Sequence, residues 1–174
     1  WPSGGCRPVR PGAYPRRTSR TDNDLVLLDL HVSKIKDAGL AHLKGLTKLQ
    51  ALGLADTKIT DAGLEHLKGL STLETLEVGE TRVTDAGLAH LSGLTHLRYL
   101  DLLSTPITDT GLEHLKGLTN LLMLRLNNTN ITDSGLDNLK GLTNLISLDL
   151  TITKVTDGGV KKLQTALPNC RIRH

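Results

Sequence analysis

Thr60-Asp61-Ala62-Gly63-Leu64-Glu65-His66-Leu67-Lys68-Gly69-Leu70 returns, with few changes, every 24 residues along the chain. Asp37, Asp61, Asp85, Asp109, Asp133 and Asp157 stand at that interval, and each is followed two places on by glycine. Copies held in one register are an internal repeat, and repeats of this length stack into quasi-one-dimensional arrays in which each coil buries its apolar side against its neighbours. Such a molecule offers a long surface, and its natural work is to bind something along it.

Upstream of the quoted segment in each copy runs a second pattern: Leu25-x-x-Leu28-x-Leu30, Leu49-x-x-Leu52-x-Leu54, Leu73-x-x-Leu76-x-Val78, Leu97-x-x-Leu100-x-Leu102, Leu121-x-x-Leu124-x-Leu126 and Leu145-x-x-Leu148-x-Leu150. Leu52-Gly53-Leu54 alternates at period two, as a short strand with inward leucines does. Thr60 or Asp61 is then expected to cap a short helix, with the carboxylate at the helix's positive end. Leu64 and Leu67, three apart, face the strand. Gly69 is expected to end the helix in a left-handed conformation, with Leu70 closing the cap. Gly63, in the first helical turn, costs about 0.5–1 kcal/mol against alanine, so its return points to backbone of the next coil passing too close for a Cβ. Thr57, returning as Thr81, Thr105, Thr129 and Thr153 with Ser33 in the first copy, places a hydroxyl where the turn leaves backbone groups to be paired.

With Leu-x-x-Leu-x-Leu-x-x-Thr-x-Ile followed by Thr-Asp-x-Gly-Leu-x-x-Leu-x-Gly-Leu-Thr-Asn, residues 25–172 resemble the leucine-rich-repeat proteins. They are most similar to the 24-residue bacterial, planctomycete-like repeats and more distantly to F-box leucine-rich-repeat proteins. The resemblance implies an α/β solenoid, a horseshoe arc with parallel strands on the concave face and short helices on the convex face. It also implies protein recognition on the concave surface. The alternative it allows, a substrate-recognition subunit of a ubiquitin-ligase-like assembly, meets no F-box in residues 1–24.

Composition agrees with a layered core. There is no Phe, one Trp and two Tyr, and leucine fills almost every apolar place. The formal charge of +3 is unevenly spread. Arg7, Arg10, Arg16, Arg17 and Arg20 stand without an acid in residues 1–20, beside Pro2, Pro8, Pro11 and Pro15. Residues 1–24 are therefore expected to be a disordered basic tail, and residues 25–174 a repeat domain of six copies closed by a C-terminal cap. The body is slightly acidic, so nucleic acid is not its expected partner; only the tail could anchor to it, with steep salt dependence. No apolar run reaches membrane length. With neither a signal peptide nor a disulfide-rich cap in view, a cytoplasmic setting is favoured.

The two ends depart from the repeat. Cys170-Arg171-Ile172-Arg173 reads as a brief last strand whose arginines discourage further pairing, with Cys170 buried at a leucine-like place. The first strand, Leu25-Val26-Leu27-Leu28, is apolar even where it should meet solvent, an edge expected to be covered by further repeats, by the tail, or by self-association.

Two constellations carry possible chemistry. His42, His66, His90 and His114 occupy one helical position in successive copies. They are expected to be a polar surface column, with a metal-binding or enzymatic role as the alternative. No nucleophile–base pair and no phosphate loop is formed, so no enzyme and no cofactor is expected. The letters that fail to repeat are the outward strand positions. They form three columns: Leu27, Ala51, Thr75, Tyr99, Met123, Ser147; then Asp29, Gly53, Glu77, Asp101, Arg125, Asp149; then His31, Ala55, Gly79, Leu103, Asn127, Thr151. Glu77, Tyr99, Asp101, Leu103, Met123, Arg125 and Asp149 are the expected contact residues for a protein or peptide ligand, since aromatic and arginine side chains among apolar neighbours dominate binding surfaces. Gly53, Ala55 and Gly79 are expected to leave a shallow depression beside them.

Overall fold

The computed structural model describes residues 26–174; the tail and Leu25 lie outside the described residues. Seven three-residue strands form one parallel sheet in sequence order: β1 (Leu27–Asp29), β2 (Ala51–Gly53), β3 (Thr75–Glu77), β4 (Tyr99–Asp101), β5 (Met123–Arg125), β6 (Ser147–Asp149) and β7 (Arg171–Arg173). The helical side carries α1 (Asp37–Leu40), α2 (Asp61–Glu65), α3 (Asp85–Leu88), α4 (Asp109–Leu112) and α5 (Asp157–Ala166). Short 3₁₀ turns extend most of these, and in the fifth coil Gly135–Leu139 is 3₁₀ throughout. Strands about 4.8 Å apart on one side and helical segments that prefer about 8–10 Å on the other bend the stack, leaving the strands on the inner face.

The register is the expected one: Leu52, Leu76, Leu100, Leu124 and Leu148 lie side by side across the sheet and are at most 1% exposed. Below them the helical leucines complete a continuous core from Leu40 to Leu167, closed by Cys170. The Cys170 thiol is free and buried, and burial pushes its pKa up to about 11. Among the described residues no strand precedes β1, and Leu28, Leu30, Ile35 and Leu46 are only partly buried, while their counterparts one coil on are covered.

The threonine after each strand does what its position requires. Thr57, Thr81, Thr105, Thr129 and Thr153 each donate to the carbonyl three residues back at 2.6 Å.

One local expectation is sharpened and two are corrected. Of the two expected caps, Thr60 takes the N-cap position and Asp61 is the first helical residue, at the helix's positive end as expected, but its carboxylate reaches into the following coil. Asp61 Oδ1 accepts from Thr84 N at 2.7 Å and Asp61 Oδ2 from the Thr84 hydroxyl at 2.7 Å. The same pair of bonds joins Asp37 to Thr60, Asp85 to Thr108, Asp109 to Thr132 and Asp133 to Thr156. Thr60 and Thr84 take the N-cap positions without a side-chain cap bond, while Thr108 accepts from Thr110 N and Thr156 from Gly159 N in addition to donating to the aspartate.

The returning glycine is part of the same device. A Cβ on Gly63, Gly87, Gly111, Gly135 or Gly159 would strike the aspartate Oδ1 of the preceding coil. The close neighbour is thus a carboxylate from the coil before, not backbone from the coil after. Finally, Gly69 and its equivalents are not left-handed, and a Cβ there meets open space. The left-handed residues are Val32, Asp56, Glu80, Ser104, Asn128 and Ile152, with φ between 52° and 58°. They turn the chain out of each strand, and the N–H groups of Val32, Asp56, Glu80, Ser104 and Asn128 extend the ladder to the next coil, as Asp56 N does to Gly79 O at 3.0 Å.

Candidate functional site

Because the middle residue of every strand points into the core, its two flanking residues stand on the opposite, inner face. The strand register aligns Tyr99 with Met123 and Ser147, and Glu77 with Asp101, Arg125 and Asp149. Leu103 follows β4 in the third column. All seven expected contact residues therefore share one face, and they differ sharply in how free they are.

Asp101 is 4% exposed and its oxygens are occupied. Oδ1 accepts from Leu103 N at 2.9 Å, and Oδ2 accepts from Arg125 Nη1 at 2.6 Å and from the Tyr99 hydroxyl at 3.4 Å. A buried carboxylate needs such saturation, so Asp101 is the frame of the site. Burial, and after it the Asp101 charge, push the Tyr99 hydroxyl up to about 12. Burial works against the charge on Arg125, yet Tyr99 and Asp101 together raise its pKa. The same bond to the backbone two residues on recurs where aspartate ends a strand: Asp29 accepts from His31 N at 3.1 Å and Asp149 from Thr151 N at 3.1 Å. Part of the acidic column is thus turn chemistry.

Met123 is 45% exposed beside half-buried Tyr99. It is the large apolar side chain that the face itself leaves to solvent. Leu103 is half-buried, and a Cβ on Gly79 would lie 3.2 Å from Leu103 Cβ.

The expected depression over Gly53, Ala55 and Gly79 is filled. The imidazole of His31 lies across Gly53, where a Cβ would come within 2.7 Å of Cε1 and Nε2. His31 Nδ1 is 3.0 Å from Asp29 Oδ1, and Nε2 is 3.2 Å from Glu77 Oε2, so one ring ties coil 1 to coil 3. The Nε2 contact lacks hydrogen-bond geometry, so that nitrogen is buried without a hydrogen-bond partner. Burial chiefly raises the pKa of Glu77, with His31 opposing and Asp101 and Asp29 adding to the rise. Glycine at position 53 makes room for this bridge, a signal visible only once the strands are in register.

Two further residues belong to the face. β7 places Arg171 beside Ser147 and Arg173 beside Asp149, both exposed, so the arginines that close the sheet also extend its outward columns.

On the helical side His42 is exposed and His66, His90 and His114 are half-buried. Among the described residues no group of three or more His, Cys, Asp or Glu is placed to hold a metal. No helix among them is long and apolar enough to cross a membrane.

The family model "Leucine rich repeat" matches residues 47–107, and a second, "Leucine Rich repeat", matches residues 141–163. An internalin from Listeria monocytogenes is similar over 86% of this chain, at 29% identity and a TM-score of 0.71. The chain spans 47% of that protein's length. Internalin C2 of the same species is similar over 87% of this chain and 71% of its own, at 27% identity and a TM-score of 0.72. A leucine-rich-repeat protein of Leptospira interrogans shares the fold at 19% identity and a TM-score of 0.56, over 77% of this chain and 39% of its own. No curated protein matches the chain in sequence. The 24-residue register, the parallel sheet with one strand per coil and both matched segments agree: residues 47–107 and 141–163 match leucine-rich repeats, and the chain folds as a leucine-rich-repeat-like solenoid.

Proposed function

We propose that the chain is a non-catalytic binding module whose inner sheet face receives a polypeptide partner. The observation that carries this is Met123, exposed beside Tyr99 at the centre of the face. The core does not need an apolar side chain there, and its register neighbour Tyr99 belongs to the hydrogen-bonded Asp101–Arg125–Tyr99 group. Preorganised aromatic and apolar anchors ringed by ordered polar groups lower the ordering cost of association. Similarity to the two internalins over most of this chain supports the same use of the fold.

The test leaves the frame untouched. Arg125→Glu would set a second carboxylate against buried Asp101 and threaten the fold. Met123→Asp alters only an exposed position. Affinity capture with wild type and Met123→Asp side by side, after circular dichroism shows both folded, is expected to lose the partner in the variant. Identical partners on both would remove the inner face from consideration.

A further inference from the structure

The inner face is polarised along the stack. Asp101 and Arg125 pair with each other at 2.6 Å and neutralise the centre. Towards β1 stand Asp29 and Glu77, sharing one imidazole, that of His31. Towards β7 stand exposed Arg171 and Arg173 against Asp149, whose Oδ1 is already taken by Thr151 N and Oγ1. One end is therefore under-compensated in positive charge and the other in negative charge. Between them lie Tyr99 and Met123, adjacent in register.

The distance sets the length of a matching ligand. From β3 to β7 are four strand spacings, about 19 Å, which an extended chain covers in about six residues.

We infer that the partner segment is an extended, bipolar stretch of polypeptide laid along the stack. It places Lys or Arg over Glu77, an apolar side chain against Tyr99 and Met123, and Asp or Glu over Arg171 and Arg173, with its charged ends about six residues apart. This rests on the binding role of the inner face and adds the chemistry of the ligand. The acidic column alone calls for a basic binder; the two arginines of β7 reverse that demand at the far end. The raised pKa of Glu77 fits a carboxylate that a ligand cation would relieve.

A random dodecapeptide library displayed on phage, panned on the full chain, tests it. Wild type is expected to enrich peptides with a basic and an acidic residue about six apart and an apolar residue between, in either chain direction. A peptide so selected should bind Arg171→Glu/Arg173→Glu about tenfold more weakly at moderate salt. The pool selected on that charge-reversed protein should exchange its acidic end for a basic one. Pools of a single charge sign, pools unchanged by the reversal, or no enrichment at all would overturn the bipolar ligand. Panning on Met123→Asp separates the two levels. A pool lost there but lacking bipolar character keeps the face and discards its polarity; a pool indifferent to Met123→Asp discards the face.

Discussion

A single carboxylate does the work of a clamp between coils. Asp85 Oδ1 accepts from Thr108 N at 2.8 Å and Asp85 Oδ2 accepts from the Thr108 hydroxyl at 2.5 Å. The same Oδ1 occupies the space where Gly111 would carry a Cβ, with Ile107 Cγ2 also 3.0 Å from that point. Charge-assisted bonds of this kind are each worth about 1.5–3 kcal/mol. Asp85→Ala should therefore cost about 2–3 kcal/mol, since Thr108 N is left without its acceptor. Gly111→Ala, which in a free helix would gain up to about 1 kcal/mol, should here cost about 1–3 kcal/mol because the new methyl group pushes the carboxylate off its donors. With Asp85 already gone, the methyl has room. The double variant should thus be more stable than the two single costs add up to, by about 1 kcal/mol or more. Urea denaturation of the four proteins checks this; simple additivity would mean that the glycine answers to Ile107 alone.

At the scale of the element, each coil is a strand, a left-handed turn and a short helical segment, and these differ in how openly the sequence announces them. The strands are legible because their leucines repeat and their register follows from 24-residue spacing. The left-handed turn is not, since Val32, Asp56, Glu80, Ser104, Asn128 and Ile152 share no chemistry; backbone geometry imposed by the next coil selects the conformation, not the side chain. Capping logic left Thr60 and Asp61 as alternatives and missed the carboxylate's partner because it looks within the helix, whereas Thr84 lies 23 residues on. Gly69 misled in the same way, as a glycine in open space. On the inner face the seven outward letters were recoverable from period two. Their hierarchy was not, because Asp101 is saturated and Gly53 is roofed by His31 only in three dimensions. The turn yields a prediction of its own. Ile152 is β-branched, sits at φ 58° and is 77% exposed, so it bears left-handed strain of about 1–2 kcal/mol with no packing to offset it. Ile152→Asn copies the residue that the preceding coil uses, Asn128, and should stabilise the protein by about 1 kcal/mol. Differential scanning calorimetry should show a higher Tm; an unchanged or lower one would mean that Ile152 is held by contacts its exposure conceals.

The described stack, residues 26–174, has a middle and two unequal ends, and that asymmetry governs how it fails. Every internal coil is covered on both sides, as the 0% exposure of Leu76, Leu100 and Leu148 records. The C-terminal end is closed by ten-residue α5, by β7 and by buried Cys170. At the β1 end Leu28, Leu30, Ile35 and Leu46 are only partly covered, and Val26 is 44% exposed. In a stack where stability is a sum of coils and nearest-neighbour interfaces, a charge buried in the middle removes two interfaces, whereas one at the edge removes a single, already weakened one. A lone ionised carboxylate in an apolar interior costs several kcal/mol or more, beyond what one coil contributes. Leu100→Asp should therefore melt β3, β4 and β5 with their helical segments as a unit, losing far-UV circular dichroism at 37 °C. Leu28→Asp should leave most of that signal. Amide hydrogen exchange resolves the extent: protection should vanish only around residues 26–53 in the edge variant, but across residues 75–125 together in the central one. Undiminished dichroism in Leu100→Asp would place Leu100 outside the core and break the register on which both the clamp and the inner face depend.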